Sequence, residues 1–261
     1  MPIPSEPPKS PSDSTDAASP RLDAIKTTAH KNRAMTVIRA ALLPGALTAL
    51  CMAAASAAAG NSLGLFIAGF FVVTFIAPAA ALTNRCPFTA LVSIAFCTAI
   101  VAIFWMLAIF RSQNPASAIV PLLFLLASFS LLISSLASAA CRCGLPSPIA
   151  AAITIALASA WLTWPVWLSP QLSRFPPNTV QQLVEMQPIL VANGLLADEP
   201  PWTERPVAYQ LTTLNQDVPM ELPTRAWPAT AAHGGAGILL LIVALSLRRR
   251  SRAATDNSEP H

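Results

Sequence analysis

The sequence predicts an all-α integral membrane protein with six transmembrane helices and a small mixed extracytoplasmic cap between the fifth and sixth helices. Two observations predict this fold class. Of the 261 residues, 54% are hydrophobic and only 11% are charged, less than half the charged fraction of an ordinary soluble domain. The charged residues are also clustered, which leaves long uncharged runs between single arginines. A soluble helical core would not repeat uncharged runs of this length.

The uncharged runs provide the room for the six helices. They lie between the arginines at 39 and 85, 85 and 111, 111 and 142, 142 and 174, and 225 and 248. Each run accommodates one helix of about 20 residues, and the first accommodates two. The stretch Gly60-Asn61-Ser62 divides that first run, because glycine, asparagine and serine favour turns. The predicted helices cover residues 40–59, 63–83, 89–110, 117–139, 148–168 and 229–247.

The positions of the cations predict the orientation, because cytoplasmic loops carry an excess of Lys and Arg. The N-terminal arm contains several cations up to Arg39, and the last helix is followed by Arg248, Arg249 and Arg250. Both termini are therefore expected in the cytoplasm, in a bacterial-type inner membrane. An even number of helices agrees with this placement, although it puts Arg111 in an outer turn.

The predicted helices divide the chain into five parts. Residues 1–35 are rich in Pro, Ser and Asp without an apolar period, which predicts a disordered cytoplasmic tail. Residues 36–168 contain the first five helices, 169–228 the cap, 229–247 the sixth helix, and 248–261 a basic cytoplasmic tail. The first apolar stretch also has the small residues that a signal peptidase accepts, but its charged lead of almost forty residues is long for a signal peptide.

Three tryptophans mark the end of the fifth predicted helix in the stretch WLTWPVWLSP. Indole rings favour the headgroup region, where the ring is half buried and the N–H remains hydrated. We therefore predict that Trp161, Trp164 and Trp167 form an interface belt, and the predicted orientation puts all six tryptophans of the chain toward the outer side. The alternative is an aromatic cage for a haem, a quinone or a quaternary ammonium. No cofactor is predicted.

The cap segment contains several acids and many prolines. The sequence predicts a short helix through QQLVEM that Asn178 or Thr179 caps and Pro188 ends. A second helical turn is predicted through ILVANG, and a strand through VAYQLTTL at 207–214. The candidate outer recognition surface consists of aromatic and charged residues: Trp202, Glu204, Arg205, Tyr209, Asp217 and Glu221. The alternative is that this surface is only a solvated cover.

Three weak motifs suggest chemistry, but we predict no catalytic residue and no metal site. GNSLG at 60–64 matches G-x-S-x-G, a motif that requires a strand-to-helix turn, whereas here it joins two helices. A Ser62 and His233 dyad would resemble rhomboid proteases only in the six helices and the late histidine. Cys141 and Cys143, with Cys86 in the other inner turn, supply three thiols, whereas a structural zinc site usually has four ligands.

Small residues repeat at four-residue intervals on two predicted helices. Such stripes permit close helix packing in a bundle or a homo-oligomer. The stripes are Ser130, Ser134 and Ser138, and Ala49, Ala53 and Ala57. The predicted helices also contain almost no acidic or basic side chains, which proton- and ion-coupled transporters need in the bilayer.

These features predict a non-enzymatic membrane subunit or assembly factor whose cap binds a protein partner. The chain would lie in the lipid bilayer and bind no nucleic acid. The alternative is a transport subunit, because the layout is similar to the permeases of ABC-type exporters: six helices, both ends inside and an outer insertion before the last helix. The inner turn at 84–88 is too short for an obvious coupling helix against an ATPase. A membrane serine hydrolase is the third class.

Overall fold

The computed structural model describes residues 41–58, 62–83, 87–112, 116–172, 174–196 and 221–256. Six helices are long and apolar enough to cross a membrane. They are α1 (Ala41–Ala58), α2 (Ser62–Thr83), α3 (Pro87–Ser112), α4 (Ile119–Arg142), α5 (Ser147–Trp167) and α9 (Trp227–Asp256). All regular structure in these ranges is helical. The prediction of an all-helical chain with six helices long and apolar enough to cross a membrane is therefore confirmed.

Three short helices lie between α5 and α9. They are α6 (Ser169–Leu172), α7 (Pro177–Met186) and α8 (Pro188–Leu196). The two helices predicted in this segment are thus present, but the predicted cap residues are wrong. Asn178 and Thr179 lie inside α7, which follows Pro176 without a side-chain cap. Pro177 occupies the first turn, where the missing N–H of proline has no intrahelical partner to lose.

Several predictions lie outside the described residues. These are the disordered tail at 1–35 and the strand at 207–214. In the basic tail that begins at residue 248, α9 continues as far as Asp256.

Helices α2 and α4 occupy the centre of the bundle. Helix α2 packs against α3, α4 and α5, and α4 packs against α3, α5 and most extensively α9. The large buried side chains of this core include Phe66 and Phe70 on α2, Trp105 on α3, and Leu122 and Phe129 on α4. Helices α1 and α9 are peripheral, because only small fractions of their apolar spans are buried.

One end of the bundle carries the largest hydrophobic cluster. The C-terminal parts of α1, α3 and α5 contribute Met52, Ile109 and Leu162, while the N-terminal parts of α2 and α4 contribute Leu65 and Leu122. Neighbouring helices therefore alternate in direction. Helix α8 packs on α2 and α4 at this end, which we name the α8 end.

Two glycines permit close helix contacts in the bundle. A Cβ at Gly69 would lie 2.6 Å from the indole nitrogen of Trp105. A Cβ at Gly237 would lie 2.9 Å from the backbone nitrogen of Leu132. Any side chain at Gly69 would displace Trp105, and any side chain at Gly237 would separate α9 from α4, since packed interiors hold no spare volume.

The serine stripe on α4 bonds mainly to its own helix. Ser130 donates to the Leu126 carbonyl at 2.6 Å, and Ser134 donates to the Ser130 carbonyl at 2.7 Å. The Ser130 hydroxyl also accepts a hydrogen bond from Thr98 of α3 at 3.4 Å. Hydroxyls that bond to the preceding turn are satisfied without a partner helix, so this stripe lets helices approach closely.

The predicted alanine stripe on α1 does not face the bundle. Ala53 and Ala57 are exposed, whereas Gly45, Thr48 and Met52 are buried. The small-residue face of α1 is therefore directed away from the rest of the described chain.

Candidate functional site

A group of amide, indole, imidazole and hydroxyl side chains lies at the α8 end of the bundle. We name this group the polar layer. It consists of Trp161 and Trp164 on α5, Gln187 and Asn193 at α8, and Thr230 and His233 on α9.

Gln187 connects α8 to the end of α5. Its side chain is wholly buried, and its Nε2 donates a hydrogen bond to the Leu162 carbonyl at 2.7 Å. Its Oε1 accepts a hydrogen bond of 2.5 Å from the backbone N–H of Leu190. Gln187 therefore caps the N-terminus of α8 while it holds that helix against α5.

Gln187→Leu is expected to lower the free energy of unfolding by about 2–4 kcal/mol, because it removes two buried hydrogen bonds and leaves the Leu190 N–H without its partner. Thermal unfolding of the purified protein in detergent measures this change. Hydrogen exchange should also become faster in α7 and α8. Gln182→Leu, at an exposed position of α7, is the matched control and should change neither quantity. Equal stability of the two variants would show that Gln187 does not anchor α8.

The three tryptophans of WLTWPVWLSP lie in three different environments. Trp164 is 2% exposed and packs in a cluster that joins α5 to α7 and α8. The other buried members of this cluster are Leu172, Val180, Val184 and Leu190. Trp161 is half-buried. Trp167 is 54% exposed, and its Nε1 donates to the Ala160 carbonyl at 3.2 Å. The interface belt stays a prediction, and within it Trp167 has the most open ring.

His233 lies where α4, α5 and α9 meet. The side chain is buried, and Nδ1 is 2.6 Å from the Ala229 carbonyl. A carbonyl only accepts, so Nδ1 carries the proton and Nε2 of the neutral ring is an acceptor. The ring centroid is 5.6 Å from that of Phe129 and 6.3 Å from that of Trp161. His233 therefore has a packing role whether or not it has a chemical one.

The proposed dyad partner of His233 is not placed by the structure. Ser62 is the first residue of α2, and its side chain lies outside the described residues.

Several buried polar atoms of the polar layer have no hydrogen-bond partner in the described chain. They are the indole nitrogens of Trp161 and Trp164, both amide atoms of Asn193, and the Thr230 hydroxyl. Asn193 is wholly buried. The polar layer therefore combines one fully bonded amide, Gln187, with a set of unused donors and acceptors.

The chain that returns to the bundle after residue 220 contacts α7 and α8 at two positions. Gln181 of α7 donates to the Glu221 carbonyl at 3.0 Å and accepts from the Glu221 N–H at 3.1 Å. Gly194 of α8 contacts the Pro223 carbonyl so closely that no Cβ would fit. The returning chain after residue 220 is thus attached to α7 and α8, and α8 itself directly precedes residue 197. Of the predicted recognition surface, Glu221 lies on the returning chain and is exposed.

The rest of the predicted recognition surface lies outside the described residues. These residues are Trp202, Glu204, Arg205, Tyr209 and Asp217.

A separate apolar groove of about 560 Å³ lies between α3 and α4. It is lined by small side chains, among them Ala99, Ala102 and Ala127, and by larger apolar ones such as Leu91 and Phe124. The groove is open at the perimeter, and no charged side chain lines it. Its chemistry differs from that of the polar layer.

The thiols at the end of α4 form no cluster in the described chain. Cys141 Sγ is 3.6 Å from the Ser147 hydroxyl, and Cys143 is exposed. Among the described residues, no three His, Cys, Asp or Glu side chains are grouped as metal ligands. Cys86 lies outside those residues.

Comparison with protein-family models, with curated proteins and with solved structures finds no match for this chain.

Sequence reasoning missed the amide side chains that organise the site. The dipeptide Gln187-Pro188 was a usable signal, because proline favours the first helical position and the preceding residue is then the cap. Asn193 within the apolar stretch PILVANGLL was a second signal, since a buried amide requires partners. The pairing of Gln181 with Glu221 joins residues 40 positions apart, so no local pattern indicated it.

Proposed function

We propose that this chain is a non-enzymatic, multi-pass protein of a bacterial-type inner membrane that acts as a membrane subunit or assembly factor. It binds a protein partner through the extracytoplasmic segment 169–228. The observation that carries this proposal is the attachment of that segment to the bundle through Gln187, through the Trp164 cluster and through the Gln181–Glu221 pair.

The apolar perimeter supports a location in the membrane. Leu43, Leu50, Phe110, Phe124 and Leu239 are each at least 64% exposed. Soluble monomers rarely expose contiguous apolar patches above a few hundred Å², whereas lipid tails solvate such side chains at no cost. Because neighbouring helices alternate in direction, the start of α1 and the end of α9 lie on the same side of the bundle. This agrees with two cytoplasmic termini.

The attached flanks support a recognition role for the segment between them. Residues 197–220 include most of the predicted recognition surface, and both ends of this stretch meet α7 and α8. A loop with held ends loses less conformational entropy on binding than a free tail.

Small-residue faces support further contacts within the membrane. Ala53 and Ala57 of α1 are exposed, as are Ala231 and Gly235 of α9. Helices associate in lipid by close packing of such residues. These two faces fit either a second copy of the chain or a helix of the partner.

Site-directed photocrosslinking in cells tests this proposal. A photoreactive residue at Trp202 or Tyr209 is expected to give one defined protein adduct, identified by mass spectrometry. The same residue at Leu43, on the apolar perimeter of α1, should give lipid adducts instead. Only lipid adducts at all three positions would contradict the proposal.

Variants of α7 connect the crosslink to the described structure. Gln181→Ala removes both bonds to Glu221 and is expected to reduce the adduct several-fold, because the returning chain is released. Gln182→Ala, the exposed neighbour, should leave the yield unchanged. Equal adduct yields in both variants would show that partner binding does not depend on the attachment of the returning chain to α7.

The exporter permease is the alternative function, and the short turns weigh against it. Only residues 84–86 separate α2 from α3, and residues 143–146 separate α4 from α5. Neither connection has the length of a coupling helix. Co-purification of an ATPase whose activity depends on this chain would favour the permease.

A further inference from the structure

We propose that the end of the bundle opposite the α8 end binds a phospholipid with a negatively charged headgroup through five arginines. These five, which we name the arginine corner, are Arg142 at the end of α4 and Arg248, Arg249, Arg250 and Arg252 on α9. The proposal rests on the membrane location proposed above, but not on the partner of the extracytoplasmic segment. Loss of the lipid and loss of the crosslinked partner are therefore separate outcomes.

Helix α9 continues past its apolar span without a break. The span covers Trp227–Leu247, and the helix ends at Asp256. For a helix along the membrane normal, the span is about 31 Å long at 1.5 Å per residue, which matches a hydrocarbon core of about 30 Å. Residues 248–252 then occupy about the next 7 Å, roughly the depth of one headgroup layer. The four arginines of α9 therefore lie at the level of the lipid phosphates.

Helices α4 and α9 run in the same direction with a constant register. A Cβ at Gly234 would lie 3.6 Å from the Ser128 Cβ, and a Cβ at Gly237 would lie 2.9 Å from the Leu132 backbone nitrogen. Both members of the second contact come one turn after those of the first. The two helices therefore advance together toward the end opposite α8.

This register brings arginines of both helices to the same level. Ala139 and Ala244 occupy matching positions and are both buried, so the helices stay together close to the end of α4. One turn later, Arg142 is level with Arg248. Arg142 is exposed, and Arg248 continues the stripe of α9 that packs on α4. Arginines from two helices thus lie side by side, and their like charges repel.

The acidic residues of the chain leave α4 and α9 positively charged at this end. The sequence has no Asp or Glu between Asp23 and Glu185, and none between Glu221 and Asp256. In the described chain, Glu185 lies on α7 and Glu221 is bonded to α7, at the α8 end. Asp256 follows Arg252 by one turn and offsets one positive charge. The excess on these two helices attracts an anion.

The chemistry of arginine favours a phosphate group as that anion. A helix C-terminus also attracts cations, but the last turn of α9 has no basic residue, so this effect does not account for its arginines. Guanidinium groups bind phosphate oxygens through paired N–H donors. Just before the arginines, Ile242 and Leu245 are exposed on α9 and offer an apolar surface to acyl chains. A phospholipid matches both features, whereas free phosphate matches only the first.

Native mass spectrometry of the full chain in detergent tests the proposal. The protein is titrated with phosphatidylglycerol, which is anionic, or with phosphatidylcholine, which is zwitterionic, and the bound lipids are counted. Phosphatidylglycerol is expected to bind more tightly. Arg248→Gln combined with Arg252→Gln should lower its affinity roughly 10- to 30-fold, because each arginine near a charged surface contributes about fivefold.

Arg174→Gln combined with Arg225→Gln is the matched control. It removes the same charge from two exposed arginines at the α8 end, and the phosphatidylglycerol affinity should not change. Arg142→Gln replaces the α9 variant if that variant fails to fold, with an expected loss of about fivefold. Equal losses in the two double variants would overturn the proposal, because net charge alone would then decide binding. Equal affinity of the unaltered protein for the two lipids would also overturn it.

Inorganic phosphate distinguishes a lipid site from a site for the free anion. Phosphate and chloride are compared as competitors at equal ionic strength, because salt screens charged contacts whatever the anion. Phosphatidylglycerol is expected to dissociate to the same extent in both salts, since its acyl chains add contacts that phosphate lacks. Displacement by phosphate but not by chloride would show a site for the free anion, and the proposal would be wrong.

Discussion

Trp105→Ala is expected to lower the free energy of unfolding by about 3–5 kcal/mol, the usual effect of truncating a large aromatic side chain in a packed core. The Trp105 side chain is wholly buried. Its ring centroid lies 4.7 Å from that of Phe66 and 5.5 Å from that of Phe70. Its Nε1 donates to the Leu65 carbonyl at 3.3 Å. The substitution leaves a cavity between α2 and α3 and one carbonyl without its donor.

Thermal unfolding in detergent measures this effect, with Trp227→Ala as the matched control. Trp227 is 65% exposed at the start of α9, so its truncation should change stability by less than about 0.5 kcal/mol. Trp105→Phe separates the two contributions, because it retains most of the packing and removes the hydrogen bond. If Trp105→Ala were as mild as Trp227→Ala, the α2–α3 contact would not be part of the core.

Gly237→Leu is expected to detach α9 from α4 and to lower the free energy of unfolding by about 1–3 kcal/mol, as overpacking does. A Cβ at this position would meet the backbone of Leu132, which no rotamer change can move. Gly235→Leu is the matched control two residues away. Nothing lies within 4 Å of a Cβ at Gly235. Leucine there should stabilise the helix by about 0.5–1 kcal/mol, because glycine is a poor helix former.

A disulfide reports directly on the α4–α9 contact. A Cβ at Gly234 would lie 3.6 Å from the Ser128 Cβ, within the range of about 3.5–4.5 Å that a disulfide requires. The pair Ser128→Cys and Gly234→Cys should therefore crosslink on oxidation, and peptide mapping distinguishes this bond from the native thiols. Gly237→Leu should reduce the yield, and Gly235→Leu should not. Equal yields would show that Gly237 is not the contact point.

The helices that cross the bundle were predictable because their signal is long and simple. An uncharged run of some 20 residues between arginines needs no knowledge of neighbours. The boundaries between α2 and α3 and between α4 and α5 were predictable for the same reason, since Arg85 and Arg142 interrupt the apolar runs. Helix α7 was predicted through QQLVEM with Pro188 as its end, and a helical turn was predicted through ILVANG, which lies in α8.

The arrangement of those helices was not predictable from local pattern. A helix in lipid is apolar on its core face and on its lipid face, so α2 carries no amphipathic stripe to mark it as central. Its position follows from the glycine at 69 and the aromatic side chains that pack with Trp105. The alanine stripe on α1 illustrates the same limit. It has the spacing of a helix contact, yet the contact within the chain uses Gly45, Thr48 and Met52.

In the candidate site, equal spacing of residues along the sequence does not predict equal burial. Trp161, Trp164 and Trp167 have equal spacing, but one is half-buried, one is covered by α7 and α8, and one is exposed. The difference arises from Val180, Val184 and Leu190, which come later in the chain and fold back over Trp164. The polar layer likewise depends on side chains from α5, α8 and α9.

By itself, the sequence determined that this chain forms six helices long and apolar enough to cross a membrane, and that the short helices α7 and α8 form between the fifth and the last of them. Charge exclusion and proline placement act within a single helix, so they can be read along the chain. Only the tertiary structure decided that α2 and α4 are central, that α8 is held by Gln187, and that unpartnered polar groups meet beneath it. Those features depend on contacts between residues that are distant in the chain. Because the helices are apolar on every face, no periodic pattern in the sequence indicates these contacts.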